Sequence, residues 1–207
     1  MTNLLFLLSI TITVATGFTI SGIVAPTFSP LAANGSLDIS LIPGHAAWLN
    51  RSSVKWIFSG GSTGESVDLT VSERKQLAQA WADIIPKYNM SLIVHVGTDS
   101  VKDAQDMAAH AESIGANAIA AMPPTYIRPT TMEALTQTMA SIAEKAPNTP
   151  FFYYHIPAKT GVDLSMSDFV SIADLRIPTF RGIKFTHYAL DDFQLAGDYV
   201  LTTGPKW

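Results

Sequence analysis

Short apolar segments alternate with longer amphipathic segments along most of the chain, and this alternation constrains the fold more than any other feature. The short segments are rich in β-branched and aromatic residues, as strands covered on both faces are. Six strands are predicted, at residues 22–28, 56–59, 92–97, 118–122, 151–156 and 182–185. Such alternation predicts a parallel sheet with helices outside it. The sheet is then either an open doubly wound sheet or part of a (β/α)8 barrel.

The segments between the strands carry helix patterns and helix-start signals. Helices are predicted at residues 72–85, 101–114 and 131–146, and a weaker one within 41–52 that begins only near His45, after Pro43-Gly44. Each of the three stronger helices follows a residue pair with capping-box spacing or its Asp variant: Thr70 with Glu73, Ser100 with Asp103, and Thr130 with Glu133. Residues 190–200 are also predicted to be helical, and 201–207 to form an unstructured tail.

Composition limits the classes of function. The chain has 207 residues, of which 47% are hydrophobic and 14% charged, so it can build one sizeable core. A net charge of −4 leaves no basic surface for nucleic acid. The lack of cysteine excludes disulfides, thiolate catalysis and Cys-ligated zinc. His95 and His110 lack ligand spacing with acidic residues, so no metal site is predicted.

Residues 1–20 form an apolar leader, and the first charged residue is Asp38. The run resembles the apolar region of a secretory signal, with residues 15–17 as a cleavage site, but it lacks a positively charged start. Threonines interrupt it, which makes it a poor membrane span. The leader therefore predicts either a signal peptide, and with it a secreted protein, or an aberrant first exon.

Lys184 places a charged amine inside the apolar segment 182–185. Burial disfavours the charged form of a lysine, and a neutral amine is a nucleophile for ketones. A Schiff-base lysine is one reading of this pattern. A buried ion pair, or a lysine whose stem is buried at the sheet rim while its amine reaches water, is the other.

Two further segments follow predicted strands. Residues 60–65 read Gly-Gly-Ser-Thr-Gly-Glu, where backbone amides and the hydroxyls of Ser62 and Thr63 can converge on an anion. An ordinary glycine-rich turn is the alternative. In the segment Tyr153-Tyr154-His155 one tyrosine faces inward and the next outward. An inward Tyr154 can relay a proton, although a core tyrosine with a satisfied hydroxyl is also compatible.

Together these segments, with residues 72–74, 95–97 and 157–161, resemble the N-acetylneuraminate lyase branch of the dihydrodipicolinate synthase superfamily over about residues 21–193. The resemblance implies a TIM barrel and a cytoplasmic enzyme, usually a homotetramer. It implies a class I aldolase that needs no cofactor. The reaction is the reversible cleavage of N-acetylneuraminate to N-acetylmannosamine and pyruvate, so the expected partners are small molecules, without nucleic acid or membrane.

The same resemblance assigns roles to individual residues. Lys184 forms the Schiff base with the C2 ketone, and Tyr154 shuttles a proton. Ser62 and Thr63 bind the substrate carboxylate, and Thr186 touches the substrate beside the lysine. Tyr126 matches a tyrosine that the family lends to the neighbouring subunit's site.

The sequence departs from the family in its number of strands. The family barrel has eight strands, and the loop after the seventh supplies acidic residues that bind the sugar chain. Here residues 21–200 account for about six βα units, so we expect a partial (β/α)8 domain that is a fragment, a splice variant or an imperfect gene model. Two alternative functions follow: a sister 2-oxo-acid aldolase such as dihydrodipicolinate synthase or a keto-deoxy-sugar aldolase, and a catalytically silent subunit.

Overall fold

A computed structural model describes residues 18–203 of the chain, with side chains up to residue 198. Its centre is a single sheet of six parallel strands. The strands are β1 (Val24–Pro26), β2 (Trp56–Ser59), β3 (Ser91–His95), β4 (Ala118–Ala121), β5 (Phe151–His155) and β6 (Phe180–Phe185). All six predicted strands are therefore present, and β6 begins two residues before its predicted start.

The order of the strands distinguishes between the two predicted architectures. Neighbours in the sheet follow the chain from β1 to β6 without exchange. A doubly wound sheet reverses its strand order at a switch point, whereas a (β/α)8 barrel keeps chain order around the ring. The structure is thus a TIM-barrel-like sheet through its sixth βα unit, as the sequence predicts.

Helices cover one side of the sheet and connect successive strands. They are α1 (Ile42–Arg51), α2 (Val71–Ile84), α3 (Val101–Ser113), α4 (Met132–Ala143), α5 (Pro157–Thr160), α6 (Met166–Arg176) and α7 (Leu190–Thr203). The capping box of α2 forms as predicted, since the Thr70 hydroxyl accepts from Glu73 N and the Glu73 carboxylate accepts from Thr70 N. The Ser100 cap also forms, because its hydroxyl accepts from Asp103 N.

Three helix predictions need correction. The cap of α4 is Thr131, whose hydroxyl accepts from Ala134 N, so the predicted Thr130 is wrong by one residue. Helix α1 begins before Pro43 rather than near His45, because the first N–H groups of a helix have no intrahelical partner and a proline there loses no hydrogen bond. No helix is predicted between β5 and β6, where the structure has α5 and α6.

The side chains divide into two apolar layers. The larger lies between sheet and helices and includes Trp81 of α2, Leu135 of α4 and Phe169 of α6, all almost inaccessible to water. The smaller covers the concave face of the sheet. Its members are Trp56, Phe58, Ile93, Ala118, Ala120, Met122, Tyr154 and Ile156, with Phe18, Ile20, Val24 and Phe152 packed against them.

An extra residue in β6 changes which way its side chains face. Phe151 pairs with Phe180, but Phe152 pairs with Gly182, so Arg181 is left over as a bulge. Phe180 and Ile183 both pack in the helix-side layer, three positions apart instead of two. Gly182 carries this irregularity at a φ of +143°, where residues with a Cβ are rare. As a result, Lys184 lies on the concave face opposite Tyr154.

The predicted ends of the chain fall largely outside the described residues. Residues 1–17 of the predicted leader and 204–207 of the predicted tail lie there, and α7 reaches Thr203, so residues 201–203 are helical rather than unstructured. In the described part, none of the helices has the length and apolar character needed to cross a membrane. Cytoplasmic location and secretion stay predictions. Mass spectrometry of the mature N-terminus distinguishes a retained leader from a cleaved one.

We predict that Gly182→Ala lowers the free energy of unfolding by about 1–3 kcal/mol, because a Cβ is strained at this φ. The added Cβ would also lie 3.3 Å from Phe152 Cε1. Gly44→Ala is the matched control: a Cβ there has no atom within 4 Å, and Gly44 lies in α1. It should stabilise by about 0.4–1 kcal/mol. Urea unfolding of both variants measures the contrast, and equal effects would contradict the account of the bulge.

Candidate active site

The turn after β2 presents Ser62 at the carboxyl edge of the sheet. Gly61 O accepts from Gly64 N at 3.0 Å, which closes the turn. Ser29 Oγ donates to Gly64 O at 2.6 Å and ties the turn to the segment that follows β1. Ser62 itself is exposed, so a ligand can reach its side chain from solvent.

Tyr154 stands on the concave face near the end of β5. Its side chain is buried, and its ring meets the ring of Phe58 edge-on at 5.7 Å. Its hydroxyl oxygen lies 3.3 Å from Ser62 Oγ, a hydrogen bond in which either group can donate. The inward direction predicted for one of the two tyrosines therefore belongs to Tyr154, while Tyr153 packs on Phe169 on the helix side.

Lys184 is the neighbour of Tyr154 in the sheet. Its Nζ lies 3.7 Å from the centroid of the Tyr154 ring and 5.4 Å from that of Phe58. Nζ donates to Thr186 Oγ1 at 3.1 Å, just beyond the end of β6. No carboxylate pairs with Lys184 among the described residues, so the ion-pair reading of the sequence is not what the structure shows.

The structure thus joins four of the six predicted site residues by direct contacts: Ser62, Tyr154, Lys184 and Thr186. Thr63 lies in the same turn as Ser62 and is half-buried. Tyr126 lies in the loop after β4 with its side chain 84% exposed, and its backbone N–H donates to Asp99 Oδ1. Within the described part of the chain, no hydrogen bond or ring contact brings the Thr63 or Tyr126 side chain to Lys184.

An apolar cavity of about 200 Å³ opens beside Lys184 on the concave face. Its wall is formed almost entirely by carbon. The lining residues are Ile20, Val24, Pro26, Phe58, Ile93, Phe152, Ile183 and Lys184. A ligand that reaches the Lys184 amine through this cavity exchanges bulk water for an apolar surrounding.

Sequence reasoning gave His95 no role, yet it belongs to this site. The side chain is 1% exposed, and its ring meets Tyr154 edge-on at 5.8 Å. Burial, and then the nearby charge of Arg74, lower the pKa of His95 to about 3, so its imidazole is neutral near pH 7. The signal in the sequence was a polar side chain at the carboxyl end of an apolar strand, which is the same signal that Lys184 gives.

His155 lies on the helix side of β5, opposite in direction to Tyr154. It is fully buried and contacts Phe185 and His187 at ring distances of 5.1 and 5.6 Å. Burial, with a smaller effect of His187, lowers the pKa of His155 to about 4. Over the described residues, no group of three or more His, Asp or Glu side chains is arranged to hold a metal ion.

Comparison with known proteins gives consistent matches along the chain. The profile of the Dihydrodipicolinate synthetase family matches residues 19–204. N-acetylneuraminate lyase of Danio rerio is 41% identical over 174 residues, 84% of this chain and 57% of the relative. The lyase of Homo sapiens is 39% identical over 175 residues, 84% of this chain and 55% of the relative.

Solved structures agree with the sequence matches. Proteus mirabilis N-acetylneuraminate lyase superposes with a TM-score of 0.85 at 30% identity, covering 91% of this chain and 62% of that one. The chain spans little more than half the length of the curated relatives it matches. Because the family profile covers nearly all of the chain, and the sheet keeps barrel order with a lysine near the end of β6, the chain belongs to the Dihydrodipicolinate synthetase family.

Proposed function

We propose that the chain is a class I aldolase that cleaves N-acetylneuraminate reversibly to N-acetylmannosamine and pyruvate through a Schiff base on Lys184. The observation that carries this proposal is the contact of Lys184 Nζ with the ring of Tyr154, whose hydroxyl meets Ser62. The Lys184 amine thus contacts the phenol ring, and the phenol hydroxyl contacts the turn that we propose binds an anion. The choice of sugar substrate is supported by relatives named N-acetylneuraminate lyase, which are 41% and 39% identical to this chain.

Condensation begins at the Lys184 amine. Its lone pair attacks the C2 ketone carbon of the substrate, and loss of water leaves a protonated imine on Nζ. The positive charge of that imine forms at an atom that already lies 3.7 Å from the centre of the Tyr154 ring. The face of an aromatic ring attracts a cation by about 0.5–2 kcal/mol, so the Tyr154 ring favours the protonated imine over the neutral imine.

The turn at residues 60–65 lies where it can bind the substrate carboxylate next to C2. We assign that carboxylate to Ser62 and Thr63, since the amides of Gly64 and Glu65 already donate to Gly61 O and Ser62 O. A carboxylate held there places C2 close to Lys184, because Tyr154 connects the two sides through its hydroxyl and its ring. Such positioning makes the bimolecular condensation of amine and ketone effectively unimolecular.

Bond cleavage needs one proton to leave the substrate and an electron sink to receive the bonding pair. Tyr154 gives up its hydroxyl proton to the water that is lost on imine formation and is left as a phenolate. The phenolate then accepts the proton of the C4 hydroxyl through the substrate carboxylate, and the sugar aldehyde is released. The C3–C4 bonding pair moves into the iminium and forms an enamine. Protonation of C3 and hydrolysis of the imine then release pyruvate and restore the lysine.

We predict that borohydride traps pyruvate on Lys184 of the folded chain, because reduction fixes the imine as a stable secondary amine. Peptide mass spectrometry should find the adduct on Lys184, and Lys184→Ala should abolish it. Lys145→Ala is the matched control, since that lysine lies on the surface beside Glu144. A folded chain, shown by circular dichroism, that traps no pyruvate would refute the proposed function.

Ser62→Ala tests the carboxylate assignment separately. Loss of one hydrogen bond to a charged group removes about 1.5–3 kcal/mol, so trapping of pyruvate should slow by about 10- to 150-fold. Trapping of hydroxyacetone, a ketone without a carboxylate, should stay unchanged. Ser113→Ala, at the far end of α3, should alter neither rate. An equal loss for both ketones in Ser62→Ala would show that the turn does not read the carboxylate.

We also propose that the chain forms a homotetramer in which Tyr126 enters the site of a neighbouring subunit. Tyr126 and Ile127 are 84% and 78% exposed, while Asp99 fixes the backbone of this loop through Thr125 and Tyr126. Mixing Tyr126→Ser with Lys184→Ala chains should restore cleavage, since a mixed assembly holds sites with both intact residues. Light scattering that shows a monomer, or a mixture without regained cleavage, would contradict this arrangement.

A further inference from the structure

His95 connects the ends of three neighbouring strands with a single imidazole. Its Nδ1 lies 2.8 Å from Gly60 O, just after β2, and its Nε2 lies 3.3 Å from Met122 N, just after β4. A carbonyl oxygen can only accept and a backbone N–H can only donate. Nδ1 also lies 3.3 Å from Arg74 Nη2, but that nitrogen donates to His95 O at the shorter distance of 2.7 Å. The closer contact of Nδ1 is with Gly60 O, so the ring carries its proton on Nδ1 and offers the lone pair of Nε2 to Met122 N.

A second buried residue holds the end of β3 in place behind His95. The guanidinium of Arg74, which is 7% exposed, donates to His95 O at 2.7 Å and to Gly97 O at 3.0 Å. Gly97 permits the close contact with β4, because a Cβ there would lie 2.6 Å from Met122 N and 2.9 Å from His95 Nε2. Arg74 and Gly97 thus fix the end of β3, and with it the position of the His95 imidazole relative to the segments after β2 and β4.

His95 contacts two sides of the proposed site: the start of the turn that carries Ser62, and the ring of Tyr154. Gly60 directly precedes Gly61 and Ser62, so the bond to Gly60 O fixes the start of the turn that carries Ser62. The same ring meets Tyr154 edge-on with an interplanar angle of 89°. Ser62 and Tyr154 then meet at 3.3 Å between their hydroxyl oxygens.

We propose that His95 is a positioning residue that sets the distance between the Ser62 turn and Tyr154, and thereby the recognition of a 2-oxo-acid carboxylate. This inference rests on the proposed function of that site. Among the described residues, none of the hydrogen bonds of the His95 ring goes to Lys184 Nζ or into the space in front of that amine. Its loss should therefore reduce carboxylate recognition more than the condensation of Lys184 with a plain ketone.

Three substitutions separate the two bonds of the ring. In His95→Asn the amide nitrogen can replace the Nδ1 donor to Gly60 O, and in His95→Gln the amide oxygen can replace the Nε2 acceptor for Met122 N. His95→Leu loses both. His45→Leu is the matched control, because His45 lies on α1 against Trp81. If His95→Leu does not fold, the Asn and Gln variants still test the proposal.

The first measurement is the ratio of borohydride trapping rates for pyruvate and hydroxyacetone. Loss of one hydrogen bond corresponds to about a tenfold effect, so the ratio should fall about tenfold in His95→Gln and His95→Leu. It should fall less in His95→Asn and stay unchanged in His45→Leu. A His95 that only stabilises the core would lower both rates together and leave the ratio unchanged, which would overturn the proposal.

The second measurement needs no substrate. Amide hydrogen exchange at Gly64 and Glu65, whose N–H groups donate to Gly61 O and Ser62 O, should quicken in His95→Gln and His95→Leu while α4 stays as protected as before. Unchanged exchange, or a uniform increase over the whole chain, would overturn the positioning role. If the unsubstituted folded chain traps no pyruvate, the proposed function fails, and the exchange result alone decides whether His95 holds the turn.

Discussion

The pairing of β5 with β6 is the contact on which the rest of the site depends. Tyr154 pairs with Lys184 only because Arg181 is left out of the register and Gly182 takes up the change in backbone direction. In a regular strand, side chains alternate strictly, so the same lysine would face the helix layer, where Phe169 and Phe180 pack. One extra residue thus decides whether the amine meets the phenol ring or a closely packed apolar layer.

The remaining parts of the site are held by buried polar bonds that cross from strand to strand. His95 bonds to the segments after β2 and β4, and Arg74 bonds to the segment after β3. Buried polar groups are costly unless they are satisfied, so this network has few alternative arrangements. The groups around Lys184 come from the ends of β2, β3, β5 and β6. For that reason the groups proposed to bind the carboxylate and to form the imine come together within the six described strands.

Much of this arrangement could be predicted from the sequence. Apolar runs and capping pairs gave the strands and helices α2 and α3, and a charge in an apolar strand identified Lys184. The bulge was not predicted, because the predicted strand began at Gly182, and a glycine signals a bulge only when it lies inside a strand pattern. Helix α6 was missed because Leu175, 74% exposed, blurs its apolar stripe. His95 received no role because its bonds to Gly60 O and Met122 N involve backbone atoms, which a pattern of side chains does not show.

The central claim is that a 2-oxo acid binds between the Ser62 turn and Lys184 as an imine. A crystal structure of the chain after reduction with pyruvate tests it most directly. The account predicts continuous density from Lys184 Nζ to C2, with the carboxylate within hydrogen-bond distance of Ser62 Oγ. An adduct whose carboxylate lies away from residues 60–65, or pyruvate bound to another lysine, would contradict it.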